Sequence, residues 1–133
     1  RFDFMNTSTL LMKEHPLGVG CGNWRSQSNI MKKEHLMIHP YPHNLFFEIA
    51  NEFGVQTLVL FILLLLYVFF LSYNKMTKYL KDRSSLYPVL FYLLIFFSLC
   101  SMVSGDLGDA RILFILISMI LIPKPLILCP NEK

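Results

Sequence analysis

The run VQTLVLFILLLLYVFFLSY, residues 55–73, decides the fold, because it contains no charged side chain, no proline and no glycine. As a helix rising ~1.5 Å per residue it reaches roughly 28 Å, close to the ~30 Å hydrocarbon core of a bilayer. It is therefore expected to cross a membrane. A second run of similar character, YPVLFYLLIFFSLCSMVS, occupies residues 87–104. Its proline, Pro88, falls in the first turn, where a missing backbone donor costs little. A third run, ILFILISMILI at residues 112–122, is short unless it continues through Pro123 and Pro125 to Leu128. Two prolines there end or kink a helix, so a thin, tilted or re-entrant third segment stays open beside a full span.

Composition agrees with this reading. Of 133 residues, 54% are hydrophobic, more than a soluble domain can hide while covering itself with polar surface. The excess lies almost wholly after Gly54, so the chain divides into a mixed segment, 1–53, and an apolar one, 54–133. The expected fold is an all-α integral membrane protein: a helix-loop-helix segment outside the bilayer, followed by two or three transmembrane helices (55–73, 87–104 and about 111–122, or to 128). Three apolar segments enclose little protected volume, and the chain opens on Arg1 without a signal-peptide pattern. It is expected to be a piece of a longer protein.

Charge sets the orientation. Lys75, Lys78, Lys81 and Arg83 stand against Asp82 in the first inter-span link, and short basic loops favour the cytoplasm. The second link, GDLGDA, carries Asp106 and Asp109 with no base before Arg111. Alternation then puts residues 1–53 on the outer side. That segment balances Arg1, Lys13, Arg25, Lys32 and Lys33 against Asp3, Glu14, Glu34, Glu48 and Glu52, and it holds all four histidines. Balanced charge in a membrane-embedded chain disfavours nucleic acid as a partner. Histidine and arginine gathered above a membrane suit an anionic lipid headgroup, with a solvated loop as the competing reading.

Within the outer segment, residues 1–14 read as a helix with Phe2, Met5, Leu11 and Met12 as an imperfect apolar stripe, ended by Pro16. The following PLGVGCGN is a loop whose Gly18, Gly20 and Gly22 permit sharp turns and close backbone approach. It lacks the lysine and hydroxyl of a phosphate-binding loop. Tight packing of the turn and direct contact with a ligand both remain open. Trp24 is expected at the bilayer interface. His35, His39 and His43 repeat every four residues, as zinc ligands on a helix would, but Pro40 and Pro42 break such a helix. No metal or other cofactor is expected. Cys21, Cys100 and Cys129 are scattered singly and read as small apolar fillers or incidental thiols.

Asn44 is a good helix cap, and Leu45, Phe46, Ile49 and Phe53 then recur on one face, with Asn44, Glu48, Asn51 and Glu52 on the other. Gly54 ends that helix or hinges it into the first span. The field at a helix start favours an anion and disfavours a charged imidazolium, so His43 is expected to be neutral and able to accept a proton. A purely local role for His43, in capping or hydrogen bonding, is the competing reading.

The residues His43 and Asn44, then LFFEIANEF, then Gly54, VQ and Thr57 resemble the signature of the O-antigen ligase-related membrane family. That family includes O-antigen ligases, polysaccharide polymerases and protein O-oligosaccharyltransferases. An arginine opening an outer helix and a P-L-G-x-G-x-G-N-aromatic turn, here Arg1 to Trp24, are similar to its large periplasmic loop. The likeness covers roughly residues 1–73 and identifies the chain as resembling a C-terminal part of such a protein.

The resemblance implies a metal-independent glycosyl transfer at the outer face of the bacterial inner membrane, in lipopolysaccharide or related polysaccharide biosynthesis. The donor would be a glycan on undecaprenyl pyrophosphate, and the acceptor a hydroxyl of lipid A core, a growing glycan or a protein. His43 would be the general base, with Arg1 first and Arg25 second as pyrophosphate contacts. Asn44, Gly54, Thr57, Gly18 and Gly20 would form the structural motif. A further arginine that the family supplies from an earlier loop is absent, so this stretch alone is expected to be inactive. The alternative is a non-catalytic membrane module, or a truncated relic of a polysaccharide polymerase or exporter.

Overall fold

The computed structural model describes residues 2–24, 26–27, 44–81, 85–103, 107–108 and 110–122. Among them the chain is all-α, with five helices and no strand: α1 Phe2–Glu14, α2 Leu45–Phe53, α3 Val55–Tyr79, α4 Tyr87–Val103 and α5 Arg111–Leu121. Proposed extensions of the last segment beyond Ile122 lie outside the described residues.

Each helix begins or stops for a local reason. Residues 2–14 end one residue short of His15, whose amide still donates to Leu11 O (2.8 Å) before Pro16 stops the ladder. Helix α3 includes the whole charge-free run and continues to Tyr79, because Asn74, Lys75, Met76, Thr77 and Lys78 add no proline or glycine to break it. By length and composition α3 is able to cross a membrane, while α4 and α5 are shorter apolar helices. At ~1.5 Å per residue, α5 reaches only roughly 16 Å, about half of a hydrocarbon core.

Helices α3, α4 and α5 meet along stripes spaced three and four residues apart, the spacing that gives shallow interhelical crossings. Phe61, Val68 and Ser72 are buried on α3; Tyr87, Leu90, Leu94, Ser98 and Ser101 on α4; Leu113, Leu116, Ile117 and Ile120 on α5. Small serines at these contacts let neighbouring backbones approach closely. Ring contacts fix the directions. Tyr79 meets Tyr87 (5.3 Å between centroids) and Tyr73 meets Phe91 (6.0 Å), so α4 runs antiparallel to α3. Phe61 meets Phe114 (6.0 Å) near the other end, so α5 runs back alongside α3.

Lys75 ties the three helices together at the end away from α2. Its Nζ donates to the carbonyls of Ile120 (2.7 Å) and Ile122 (2.8 Å) and lies 5.1 Å from the Tyr87 ring centre. Carbonyls at a helix C-terminus lack intrahelical donors, and a cation there also meets the negative end of the dipole. The outward faces carry Val59, Leu60, Leu63, Leu66, Phe70, Phe96 and Ile115, all exposed. Apolar surface of that extent is unfavourable in water.

Candidate functional site: the two ends of helix α2

Helix α2 has nine residues, too few to be stable by itself in water, and its survival depends on what closes its ends. Asn44 stands at its start in extended backbone, and its Oδ1 accepts from the amides of Phe46 (3.0 Å) and Phe47 (3.3 Å). Glu48 N donates to Asn44 O (3.1 Å). The same Asn44 uses its Nδ2 to donate to Met102 O (2.9 Å) near the end of α4. One side chain thus caps α2 and fastens it to α4.

The last four carbonyls of α2 are all satisfied, each from a different source. Gly54 N donates to Ala50 O (3.1 Å), Val19 N to Asn51 O (2.8 Å), Gly20 N to Glu52 O (3.0 Å), and Thr57 Oγ1 to Phe53 O (2.8 Å). The turn before Trp24 also serves the next helix, because Val55 N at the start of α3 donates to Pro16 O (3.0 Å). A backbone clip at residues 16–20 therefore closes the end of α2 and the beginning of α3 together.

Two glycines make that clip geometrically feasible. A Cβ at Gly18 would lie 2.5 Å from Glu52 O and 2.6 Å from Gly54 N; one at Gly54 would lie 2.7 Å from the Leu17 carbonyl carbon. Both have positive φ, +89° and +92°, where an L side chain is disfavoured. Of the two roles left open for the glycine turn, Gly18 fills the packing one. Gly20 has φ +91° and would place a Cβ 3.1 Å from Asn23 Nδ2.

Helix α2 is buried on more than its apolar side. Leu45 and Ile49 enter the core, with Phe46 against Phe61 at 5.8 Å. Glu48, Asn51 and Glu52, on the polar side, are only 5%, 1% and 5% exposed. Burying carboxylates costs free energy unless hydrogen-bond donors meet them. Glu48 Oε2 accepts from Leu107 N (2.7 Å), in the link between α4 and α5. Asn51 Nδ2 donates to Phe47 O (2.7 Å), and its Oδ1 has no hydrogen-bond partner among the described residues.

Of the residues singled out by sequence, Asn44, Gly54, Thr57, Gly18 and Gly20 are gathered around this one helix. His43, Arg1 and Arg25 lie outside the described residues, as do His35 and His39. Among the described residues no group of three or more His, Cys, Asp or Glu is arranged to hold a metal. Trp24 differs from expectation: it is fully buried within the protein, in a helical turn that follows the clip, instead of projecting outward as an interfacial anchor.

Sequence reasoning missed the tether from Glu48 to Leu107 and the proximity of Arg111 to it. Arg111, at the start of α5, is exposed and donates through Nε to Gly108 O (2.7 Å). The available signal was an acid in the first turn of α2, where the dipole favours it. Nothing local says which distant amide it meets. No protein-family model matches the chain, and neither a curated protein nor a solved structure is significantly similar to it.

Proposed function

We propose that this chain is part of a bacterial inner-membrane glycosyltransferase of the O-antigen ligase-related kind, moving a glycan from undecaprenyl pyrophosphate to an acceptor hydroxyl. The observation that carries the proposal is the spacing of His43, Asn44, Gly54 and Thr57 in the sequence, whose last three members close the two ends of α2. A signature that frames one short helix is a sensible way to hold a base at the helix mouth, since His43 directly precedes the cap in sequence. Further support comes from α3, long and apolar enough to span a bilayer. Its basic residues Lys75 and Lys78 stand at the end opposite α2, as an inward-facing end would have them.

In this reading His43 takes the proton of the acceptor hydroxyl as the acceptor oxygen bonds to the anomeric carbon. The bond from that carbon to the pyrophosphate oxygen breaks, and the leaving diphosphate gathers charge. Arginine, with Arg1 and Arg25 as candidates, stabilises that charge through paired N–H donors. Residues 1–53 then face the periplasm, and membrane lipid covers the apolar faces of α3 to α5.

A non-catalytic membrane module is the second reading, favoured by the purely architectural contacts of Gly18, Gly20, Gly54 and Thr57. One experiment separates the two. Full-length protein in liposomes, given undecaprenyl-pyrophosphate-linked glycan and in turn lipid A core, a glycan chain and a protein acceptor, is expected to modify one acceptor class. It should also release undecaprenyl pyrophosphate, and EDTA should not change the rate. Absence of transfer to every acceptor refutes the enzyme, and loss of activity on chelation refutes the metal-free mechanism.

A further inference from the structure

Helix α5 is short for a crossing, and it is tied to α3 near both of its ends. Phe114, in its first turn, meets Phe61 with ring centres 6.0 Å apart, and Lys75 Nζ donates to the carbonyls of Ile120 (2.7 Å) and Ile122 (2.8 Å) at its close. These contacts allow the two helices to be compared in length. Lys75 lies fourteen residues beyond Phe61 along α3, roughly 21 Å at the helical rise, whereas Ile122 lies eight residues beyond Phe114, roughly 12 Å. Helix α5 therefore stops roughly 9 Å short of Lys75, and the lysine side chain closes that gap.

The end of α5 needs a donor that its own chain does not supply. Ile122 leaves the helix in extended backbone (φ −61°, ψ 128°), as a residue before proline does, and Pro123 has no N–H with which to extend the ladder. An open carbonyl is costly in hydrocarbon, so a helix that ends inside a bilayer requires water or a protein donor at that point. Lys75 brings three N–H groups and a charge that the C-terminal end of the helix dipole favours. Its ammonium is itself placed by α4. It lies 5.1 Å from the centre of the Tyr87 ring, which is 2% exposed and packs on Tyr79 at 5.3 Å, so a cation is favoured there over a neutral donor.

We propose that Lys75 is a latch that makes α5 a complete though short membrane crossing, bringing Ile122 to water on the side where α3 ends. Of the arrangements left open for the third apolar segment, this selects a full crossing over a re-entrant loop. It assigns Lys75 a different task from the neighbouring Lys78, which is exposed and is one of the charges that orient the chain. The inference rests on the membrane-spanning part of the functional reading and not on its chemistry.

The test reads sidedness in the full-length protein, with a membrane-impermeant maleimide applied to intact spheroplasts and to inverted vesicles. Three single-cysteine proteins are compared, one keeping only Cys21, which is exposed beside the glycine turn, one carrying Leu80→Cys just beyond α3, and one carrying Ile122→Cys. Cys21 and Leu80→Cys are expected to react from opposite sides, and Ile122→Cys from the side of Leu80→Cys. Adding Lys75→Met, which keeps the stem and removes the donors, should slow labelling of Ile122→Cys from that side about tenfold, the range of charge-assisted hydrogen bonds. Lys75→Arg keeps a cation with donors and should stay within about threefold of the native lysine. With Lys75 intact, Ile122→Cys that reacts from the side of Cys21, or from neither side, overturns the latch even if Lys75→Met fails to fold. Labelling that Lys75→Met leaves unchanged overturns it too. Cys21 and Leu80→Cys reacting from one side would remove the membrane crossing of α3 and the latch with it, which separates failure of that reading from failure of the latch alone.

Discussion

Replacing His43 with alanine in the full-length protein is expected to lower glycan transfer by roughly a hundredfold to ten-thousandfold, the usual contribution of a placed general base. Lipid-linked donor should accumulate while the amount of folded protein stays at the wild-type level. The expectation follows from chemistry. The acceptor hydroxyl is a poor nucleophile until its proton has somewhere to go, and a neutral imidazole is a suitable acceptor near neutral pH. Removing that ring leaves the α2 cap in place, because the cap is supplied by Asn44. Transfer rate and donor pool, measured together in a strain lacking the native copy, check this. Wild-type transfer by His43→Ala would rule out His43 as the base and favour a structural role for the signature.

The second large effect concerns folding. Gly18→Ala and Gly54→Ala are each expected to cost more than ~3 kcal/mol, a large share of the ~5–15 kcal/mol that holds a typical domain together. At Gly18 the intruding methyl meets the backbone of Glu52 and Gly54, and at Gly54 the backbone of Leu17 as well as the Gln56 side chain, so moving a side chain aside does not relieve either clash. Relief requires the clip to lift away. That movement breaks the bonds from Val19 N to Asn51 O, Gly20 N to Glu52 O and Val55 N to Pro16 O. Gly22 is the internal control. Its φ is also positive, +75°, but an added Cβ meets nothing within 4 Å, so Gly22→Ala should lose only ~1 kcal/mol from backbone strain. Thermal unfolding in detergent compares the three, and equal stability of Gly18→Ala and Gly22→Ala would contradict the clip.

Much of the helical layout was legible because it is written locally. Pro16 stops α1, Asn44 starts α2, Gly54 separates α2 from α3, and uninterrupted apolar runs make α3 and α4. The residues of the signature were also legible, since their spacing is a property of the sequence. Their reason was not. Gly18 and Gly54 belong together only because a turn folds back across a helix junction, a contact between segments far apart in the chain. The polar side of α2 reads as a surface stripe by periodicity, yet Glu48, Asn51 and Glu52 are buried, because the clip and the α4–α5 link cover what would otherwise be a solvated face. Lys75 reads as an inward-facing surface charge, but the end of α5 recruits it as a cap. In each case local pattern specifies the element, and the long-range partner specifies its role.

The proposed function places residue 43 on the outer side of the membrane, within reach of a lipid diphosphate. Its most direct test is the reactivity of a single cysteine, His43→Cys, in full-length protein whose Cys21, Cys100 and Cys129 have been replaced by alanine. A membrane-impermeant maleimide should label it in spheroplasts with the inner membrane intact, and added undecaprenyl-pyrophosphate-linked glycan should slow the labelling. Labelling only after the inner membrane is opened, or at a rate the lipid-linked glycan does not change, would contradict the proposed function.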